Sequence, residues 1–578
     1  MNERLSSIAI QAAAAAFFFS GCHAQAQPQP EPAGRLQAKQ AFVAKRQVVV
    51  AAHPLAAEAG HAMLKLGGSA LDAAIAAQMV LNLVEPQSSG IGGGAFLLVW
   101  SAKDQRLYAY DGRESAPAAA RADRFLDGSG QPLAHLDAVA NGRSVGVPGV
   151  LAALELAHRR HGKLAWREPF QRAILHAAEG YAMPERLHAL LEWDGALREV
   201  LDAKDIYFDA AGRPRPVGSV LKNPALAGTL RRIALGGARA FYEGEIAQDI
   251  VKAVASHGRP GDLTERDLAA YRAIEREPLC GAYRSWRVCG MPPPSSGGVA
   301  VLQMLGILER TDFARAAPNS VDAVHLFSEA GRLAYADRNR YVADPAFVPQ
   351  PLAGLLAPEY LTARAALIGA RSMGVAQPGA PQGALAWSDV PAEVSAGTSH
   401  ISVVDAEGNA VAMTTSIEYA FGSRIFVRGF LLNNQLTDFA FVPESAGRLA
   451  ANRVEPGKRP RSSMAPTMVF DRAGRLQIVL GSPGGSGIIN YIAKTLVATL
   501  DWGMEIQEAI ASPNFGSSNG PTLIERETSY EDLGDALAER GHILKFTRLT
   551  SGLHGIERVP EGWRAGADPR REGVARGE

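Results

Sequence analysis

The sequence predicts a mixed α/β (α+β) protein. Three stretches carry that expectation: helical spacings that alternate with strand patterns between residues 54 and 341, a β-hairpin over 398–416, and a strand, glycine turn and helix over 476–500. In chain order, apolar spacing predicts a helix over 54–66 that stops at Gly67-Gly68, and Ser69 with Asp72 caps a second helix running to Val84. Gly90 to Gly94 then turn into a strand over 95–100, and helical spacing returns over 150–161, 166–179 and 320–341. From 373 to 397 the composition shifts to Pro, Ala, Gly and Ser without periodicity, which reads as a mobile loop. His400 to Asp405 alternate apolar and polar, 406–409 turn, and 410–416 return as a strand, which sets Thr398 opposite Ser416. Leu476 to Leu480 read as a buried strand and 488–500 as a helix. The charged tail 564–578 reads as disordered, and there are no internal repeats.

Composition sets outer bounds. The 578 residues carry 59 basic and 59 acidic side chains and are 47% hydrophobic, enough for a large core, and zero net charge gives no support for nucleic-acid or anionic-membrane partners. No apolar run reaches the ~20 residues needed to cross a bilayer. Residues 1–24 place Arg4 before an apolar stretch over 8–19 and then small residues, which reads as a secretory signal peptide, followed by a linker over 25–45. Cleavage after Ala24 or Ala26 would release an exported, periplasmic protein; cleavage before Cys22 would make it a membrane-anchored lipoprotein. Cys280 and Cys289 flank a short turn, where facing strands could bring the sulfurs together as a disulfide or leave two buried thiols. Without a Cys-x-x-Cys pair or ligand-like His spacing, neither a metal nor another cofactor is expected.

Thr398 stands out chemically. A threonine hydroxyl is a weak nucleophile at neutral pH, but a cut between Gly397 and Thr398 would free an α-amine of pKa ~8 on the same residue to take its proton. Attack on an amide carbonyl produces an oxyanion, and Gly484 and Gly485, between a strand and a helix start, can offer bare backbone N–H groups to it. The same glycines lack the Gly-Lys-Ser/Thr of a nucleotide phosphate loop and the Gly-x-Gly-x-x-Gly of a dinucleotide fold.

Seven strings extend the pattern. After Thr398 come Gly-Phe-Leu-Leu-Asn-Asn-Gln-Leu-Thr-Asp-Phe (429–439), Arg-Pro-Arg-Ser-Ser-Met-Ala-Pro-Thr (459–467) and Gly-Ser-Pro-Gly-Gly-Ser-Gly (481–487). Before it come Ser-Ser-Gly-Ile-Gly-Gly-Gly (88–94), Asp-Gly-Arg-Glu-Ser-Ala-Pro (111–117), Val-Gly-Val-Pro-Gly (145–149) and Met-Pro-Pro-Pro-Ser-Ser-Gly-Gly (291–298). In this order, over roughly 46–560, the chain resembles the γ-glutamyltranspeptidases, N-terminal-nucleophile hydrolases that cut themselves before a Thr. The resemblance implies a four-layer αββα sandwich in which a large chain (46–397) and a small chain (398–578) interleave as a heterodimer. It implies glutathione and other γ-glutamyl compounds as donors, with water, an amino acid or a peptide as acceptor. Arg113, Ser462 and Ser463 match the residues that bind the donor's α-carboxylate; Asp438, Gln435 and Glu418 match those that hold its α-ammonium. Ser416 takes the place of a second Thr beside the nucleophile.

Several positions depart from the family. Thr437 stands where many members have an Asp, Gly487 replaces an Arg, and the segment 440–458 is short for a lid and lacks its Tyr. These leave the catalytic machinery and open the choice of substrate. The alternatives are an acylase for glutaryl or cephalosporin-type amides, which lack the ammonium that Asp438 would hold, an inactive exported glutamate-binding relative, and a nucleotide-binding protein.

Overall fold

Alternation along one strand sets the layering. In Gly94–Ser101, Ala95, Leu97 and Val99 join a core with residues of the helices Pro54–Lys65 and Ala70–Val84, whereas Phe96, Leu98 and Trp100 join a second core with Met468, Val479 and the helix Gly297–Leu308. Side chains of period two pointing into two cores place this strand's sheet between a helix layer and a second sheet. The computed structural model describes residues 36–389 and 397–578.

The first sheet runs Val574–Gly577, Val48–Ala51, Gly397–Val404, Ala410–Glu418, Gly94–Ser101, Arg106–Gly112, Ile274–Arg276, antiparallel throughout. The second runs Phe42–Ala44, Gly562–Ala567, His554–Val559, Leu476–Gly481, Thr467–Phe470, Trp286–Gly290, Leu279–Tyr283, likewise antiparallel. Helices Gly297–Leu308, Val321–Tyr341 and Ile488–Leu500 cover its outer side. Every residue of Ala70–Val84 and of Gly297–Leu308 is buried, as expected of helices apolar all round. Both sheets combine strands from before and after Thr398.

Local signals hold well. Ser69 accepts from the Asp72 amide at 3.2 Å and the Asp72 carboxylate accepts from the Ser69 amide at 2.8 Å, a reciprocal cap. Ser320 caps Val321–Tyr341 one-sidedly, accepting from the Ala323 amide at 3.2 Å, and helices over Val150–His161 and Ile488–Leu500 stand where spacing put them. Thr398 faces Ser416 in the hairpin, whose turn is tied by the Asp405 carboxylate accepting from the Glu407, Asn409 and Ala70 amides, each at 3.0 Å. Cys280 and Cys289 sit opposite each other on adjacent strands and are disulfide-bonded.

Four expectations need correction. The tail is ordered: Val574–Gly577 is an edge strand and Asp568, Arg570 and Arg571 are buried, because their charges find partners inside. Arg570 bonds Glu525 at 2.6 Å and Asp568 at 3.1 Å. Residues 42–44, expected in a linker, form a strand against 563–565. The helix expected from 166 starts as a 3-10 turn at Glu168–Phe170 and becomes α-helical at Gln171–Glu179. Residues 373–389 contain no strand or helix but are fastened rather than loose: the Gly379 amide donates to Asp337 at 2.8 Å and the Ala376 amide to Asn519 at 2.7 Å. The signal and lipidation sites with Cys22, and loop residues 390–396, lie outside the described residues.

Breaking a buried ion network by removing one partner costs about 3–5 kcal/mol, whereas exposed pairs are worth about 1 kcal/mol or less. Arg570→Met should therefore lower the denaturation midpoint strongly, and Arg548→Met, whose pair with Glu527 is exposed, should leave it nearly unchanged in the same urea titration. Equal shifts would contradict the buried placement of the tail.

Candidate active site

Steric crowding fixes the residue before Thr398. A Cβ on Gly397 would meet the carbonyl oxygens of Glu418 and Tyr419 at 2.9 Å and that of Gln87 at 3.0 Å, so only glycine fits without movement. The strand register breaks between Gly397 and Thr398, and Thr398 is buried. Its hydroxyl donates to the Ser416 hydroxyl oxygen at 3.2 Å, and the Ser416 hydroxyl donates to the Gly397 carbonyl. The Glu418 amide donates to the same Ser416 oxygen at 2.9 Å. One serine thus links the Thr398 hydroxyl to the carbonyl of the peptide bond before it.

The strand's next side chain is tied into the helix side. Ser399 donates to Glu85 at 2.5 Å and accepts from Ser89 at 3.0 Å. Burial pushes the Glu85 carboxyl up to about 7, against the opposing pull of Arg571 and the Ser399 hydrogen bond. Arg571 donates to the Thr398 carbonyl at 3.2 Å, so the tail that was expected to be disordered supports the backbone of Thr398.

Beside Thr398 opens a pocket that the structure lines with Arg113, Ser416, Gln435, Asp438, Ser462, Ser463 and Gly485. Arg113, just past the strand Arg106–Gly112, is fully buried, pairs with Asp438, and donates to the carbonyls of Pro460 at 3.1 Å and Arg461 at 2.8 Å. Gln435 donates to Asp438 at 3.0 Å from the same 3-10 turn, Gln435–Asp438. Gly484 and Gly485 adopt φ of 127° and 57°, left-handed values that suit glycine, in the turn into the helix Ile488–Leu500. Gly485 reaches the pocket, while Gly484 lies against Tyr491, 2.5 Å from where a Cβ would stand. Glu418 is the second residue set back: it is buried, accepts from Asn434 and is not part of the lining. Thr437 turns its hydroxyl to the Asn434 carbonyl at 2.8 Å, so no carboxylate adds to Asp438 there.

Sequence reasoning missed Arg338 and Arg461, which also line the pocket. Arg461 stood inside a quoted string, between Pro460 and Ser462, but Arg338 is one charged residue among many on the helix Val321–Tyr341 and carries no local mark. Also unforeseen is a buried group of His325, Glu329 and His542. His325 and Glu329 are one helical turn apart, a spacing that could have flagged it. Its ring nitrogens are engaged: His325 with His542 and with the Gly369 carbonyl, His542 with Thr522, each at 2.8 Å, while Glu329 pairs with Arg332.

A model of the family described as gamma-glutamyltranspeptidase matches residues 56–578. Over 555 residues the chain is 36% identical to a Bacillus subtilis (strain 168) protein named glutathione hydrolase proenzyme, covering 93% of this chain and 92% of that one. An Escherichia coli (strain K12) protein of the same name is 37% identical over 542 residues, 91% of either chain. Among solved structures, a cephalosporin acylase from Bacillus halodurans matches with a TM-score of 0.81 at 29% identity, covering 96% of this chain and 99% of that one.

Glu85 makes folding pH-dependent. Its carboxyl titrates at 4.5 ordinarily and at about 7 in the fold, so its contribution is fully present below about pH 4.5 and is lost as pH rises to about 7. Glu85→Gln should remove up to about 3 kcal/mol of that pH dependence, read as a smaller fall in melting temperature between pH 5 and pH 8. An unchanged fall would show that Glu85 is not neutral in the fold.

Proposed function

The chain belongs to the γ-glutamyltranspeptidase family, and on that premise we propose that it is a self-processing γ-glutamyltransferase that also hydrolyses glutathione, with Thr398 as nucleophile. Its two sheets between helix layers are the αββα sandwich of N-terminal-nucleophile hydrolases. The observation that carries the proposal is the buried Thr398–Ser416–Gly397 linkage.

In maturation the Thr398 oxygen attacks the Gly397 carbonyl carbon, whose oxygen already accepts from Ser416. The C–N bond breaks, the proton passes to the departing amine, and the Gly397 acyl group sits on the Thr398 oxygen as an ester. Water hydrolyses it, leaving a large chain that ends at Gly397 and a small chain of residues 398–578. In turnover the new amine takes the hydroxyl proton as Thr398 attacks the γ-glutamyl amide, then passes it to the leaving amine. Gly484 and Gly485 supply the oxyanion donors, and water, an amino acid or a peptide resolves the acyl-enzyme.

Donor binding is an exchange of partners. The α-carboxylate takes Arg113, Ser462 and Ser463, and the α-ammonium takes Asp438 and Gln435, with Glu418 behind them; the Arg113–Asp438 pair opens to admit this zwitterion. Export as a periplasmic protein, or as a lipoprotein through Cys22, is part of the proposal, and the Cys280–Cys289 disulfide supports it.

A glutaryl or cephalosporin-type acylase is the second reading, favoured by the likeness to the Bacillus halodurans acylase. Asp438 opposes it, since a glutaryl group brings no ammonium. The wild-type protein should appear as two chains, one beginning Thr-Ser-His-Ile, and Thr398→Ala should stay whole and lose at least roughly a thousandfold in activity. Wild type should prefer γ-glutamyl over glutaryl anilide; the reverse preference would move the assignment to the acylase, and an uncut wild-type chain would sink the mechanism.

A further inference from the structure

We propose that Arg338 is a positioning residue that turns the Ser463 hydroxyl proton toward the pocket, so that the site selects donors bearing an α-carboxylate; this rests on the γ-glutamyl reading above. A hydroxyl has one proton and two lone pairs, and a guanidinium has only protons. Arg338 Nη2 lies 2.6 Å from Ser463 Oγ, so Ser463 accepts there and its proton is directed elsewhere. Ser462 is arranged alike: its oxygen accepts from the Met464 amide at 3.1 Å. No described residue accepts a proton from either hydroxyl, and both serines line the pocket. Two protons aimed into a pocket suit a group made only of lone pairs, which a carboxylate is and an ammonium is not.

The surroundings hold Arg338 in this role. Its Nε donates to Ser296 Oγ at 2.8 Å, and Ser296 donates onward to the Ser462 carbonyl at 2.7 Å, so one guanidinium braces both serines. Arg461 Nη1 returns the grip, donating at 3.1 Å to the carbonyls of Arg338 and Asn339 near the end of the helix Val321–Tyr341. Arg338 is buried, and among the described residues it pairs with no carboxylate. Asp438 is the one carboxylate in the lining, and it is taken by Arg113. A buried cation without a counter-charge is costly, and an arriving carboxylate lowers that cost.

The test uses the full chain after maturation, with γ-glutamyl p-nitroanilide and 4-aminobutyryl p-nitroanilide, which keeps the ammonium and the acyl length and lacks the α-carboxylate. Arg338→Met should raise KM for the γ-glutamyl donor about 10- to 100-fold with kcat within about threefold, and leave kcat/KM for the aminobutyryl donor within about twofold. In a Ser463→Ala background the same change should add less than about threefold, because the hydroxyl it orients is gone. Arg338→Lys, which keeps a donor, should recover part of the KM loss and carries the test if the Met variant does not mature. Equal losses on both donors, an unmoved KM, or full additivity with Ser463→Ala would overturn the role of Arg338. Wild type that turns over neither donor would instead overturn the γ-glutamyl reading on which it rests.

Discussion

The hydrogen-bonded line from Thr398 through Ser416 to the Gly397 carbonyl is the constraint on which the rest of the structure depends. It exists only if two strands pair in one register, since a slip by one residue would turn every side chain of the hairpin to the opposite layer. Helix Ala70–Val84 behind one face and the second sheet behind the other hold that register by burying alternate side chains. The Asp405 turn sets it from the far end, and its bond to the Ala70 amide ties the hairpin to the helix N-terminus.

What the sequence made legible was local in origin. The caps at Ser69 and Ser320, the helix limits 150–161 and 488–500, and the pairing of Thr398 with Ser416 follow from spacing and turn chemistry within about twenty residues. Most of the site residues followed from quoted strings, and the structure gathers Arg113, Gln435, Asp438, Ser462, Ser463 and Gly485 around Thr398 and Ser416. Gly484 and Glu418 come close but stand behind the lining. The tail was misjudged because Arg570 and Arg571 look solvated until Glu525 and the Thr398 carbonyl are brought to them from far along the chain. Arg338 escaped for the same reason: its meaning lies in Ser296 and Ser463, distant in sequence.

Zero net charge hides an uneven interior. Arg113, Arg338 and Arg461 converge on one pocket with Asp438 as the lining carboxylate, while Glu114 beside them is pushed up to about 8 by burial and so is largely neutral near pH 7. Such an arrangement stores unfavourable electrostatics in the pocket beside Thr398. Disrupting it would be felt in substrate choice as much as in stability.

The sharing of both sheets by strands from the two sides of Thr398 has a thermodynamic consequence. While the backbone is continuous, unfolding is a one-molecule event, and refolding needs no encounter. Once the bond before Thr398 is broken, neither piece owns a complete sheet, and the reverse of unfolding becomes an association of two chains whose rate falls with dilution. The cut protein would then persist through the height of its unfolding barrier and not through an equilibrium it can revisit. Assembly would be a single passage, made by the intact chain and not repeated by its products.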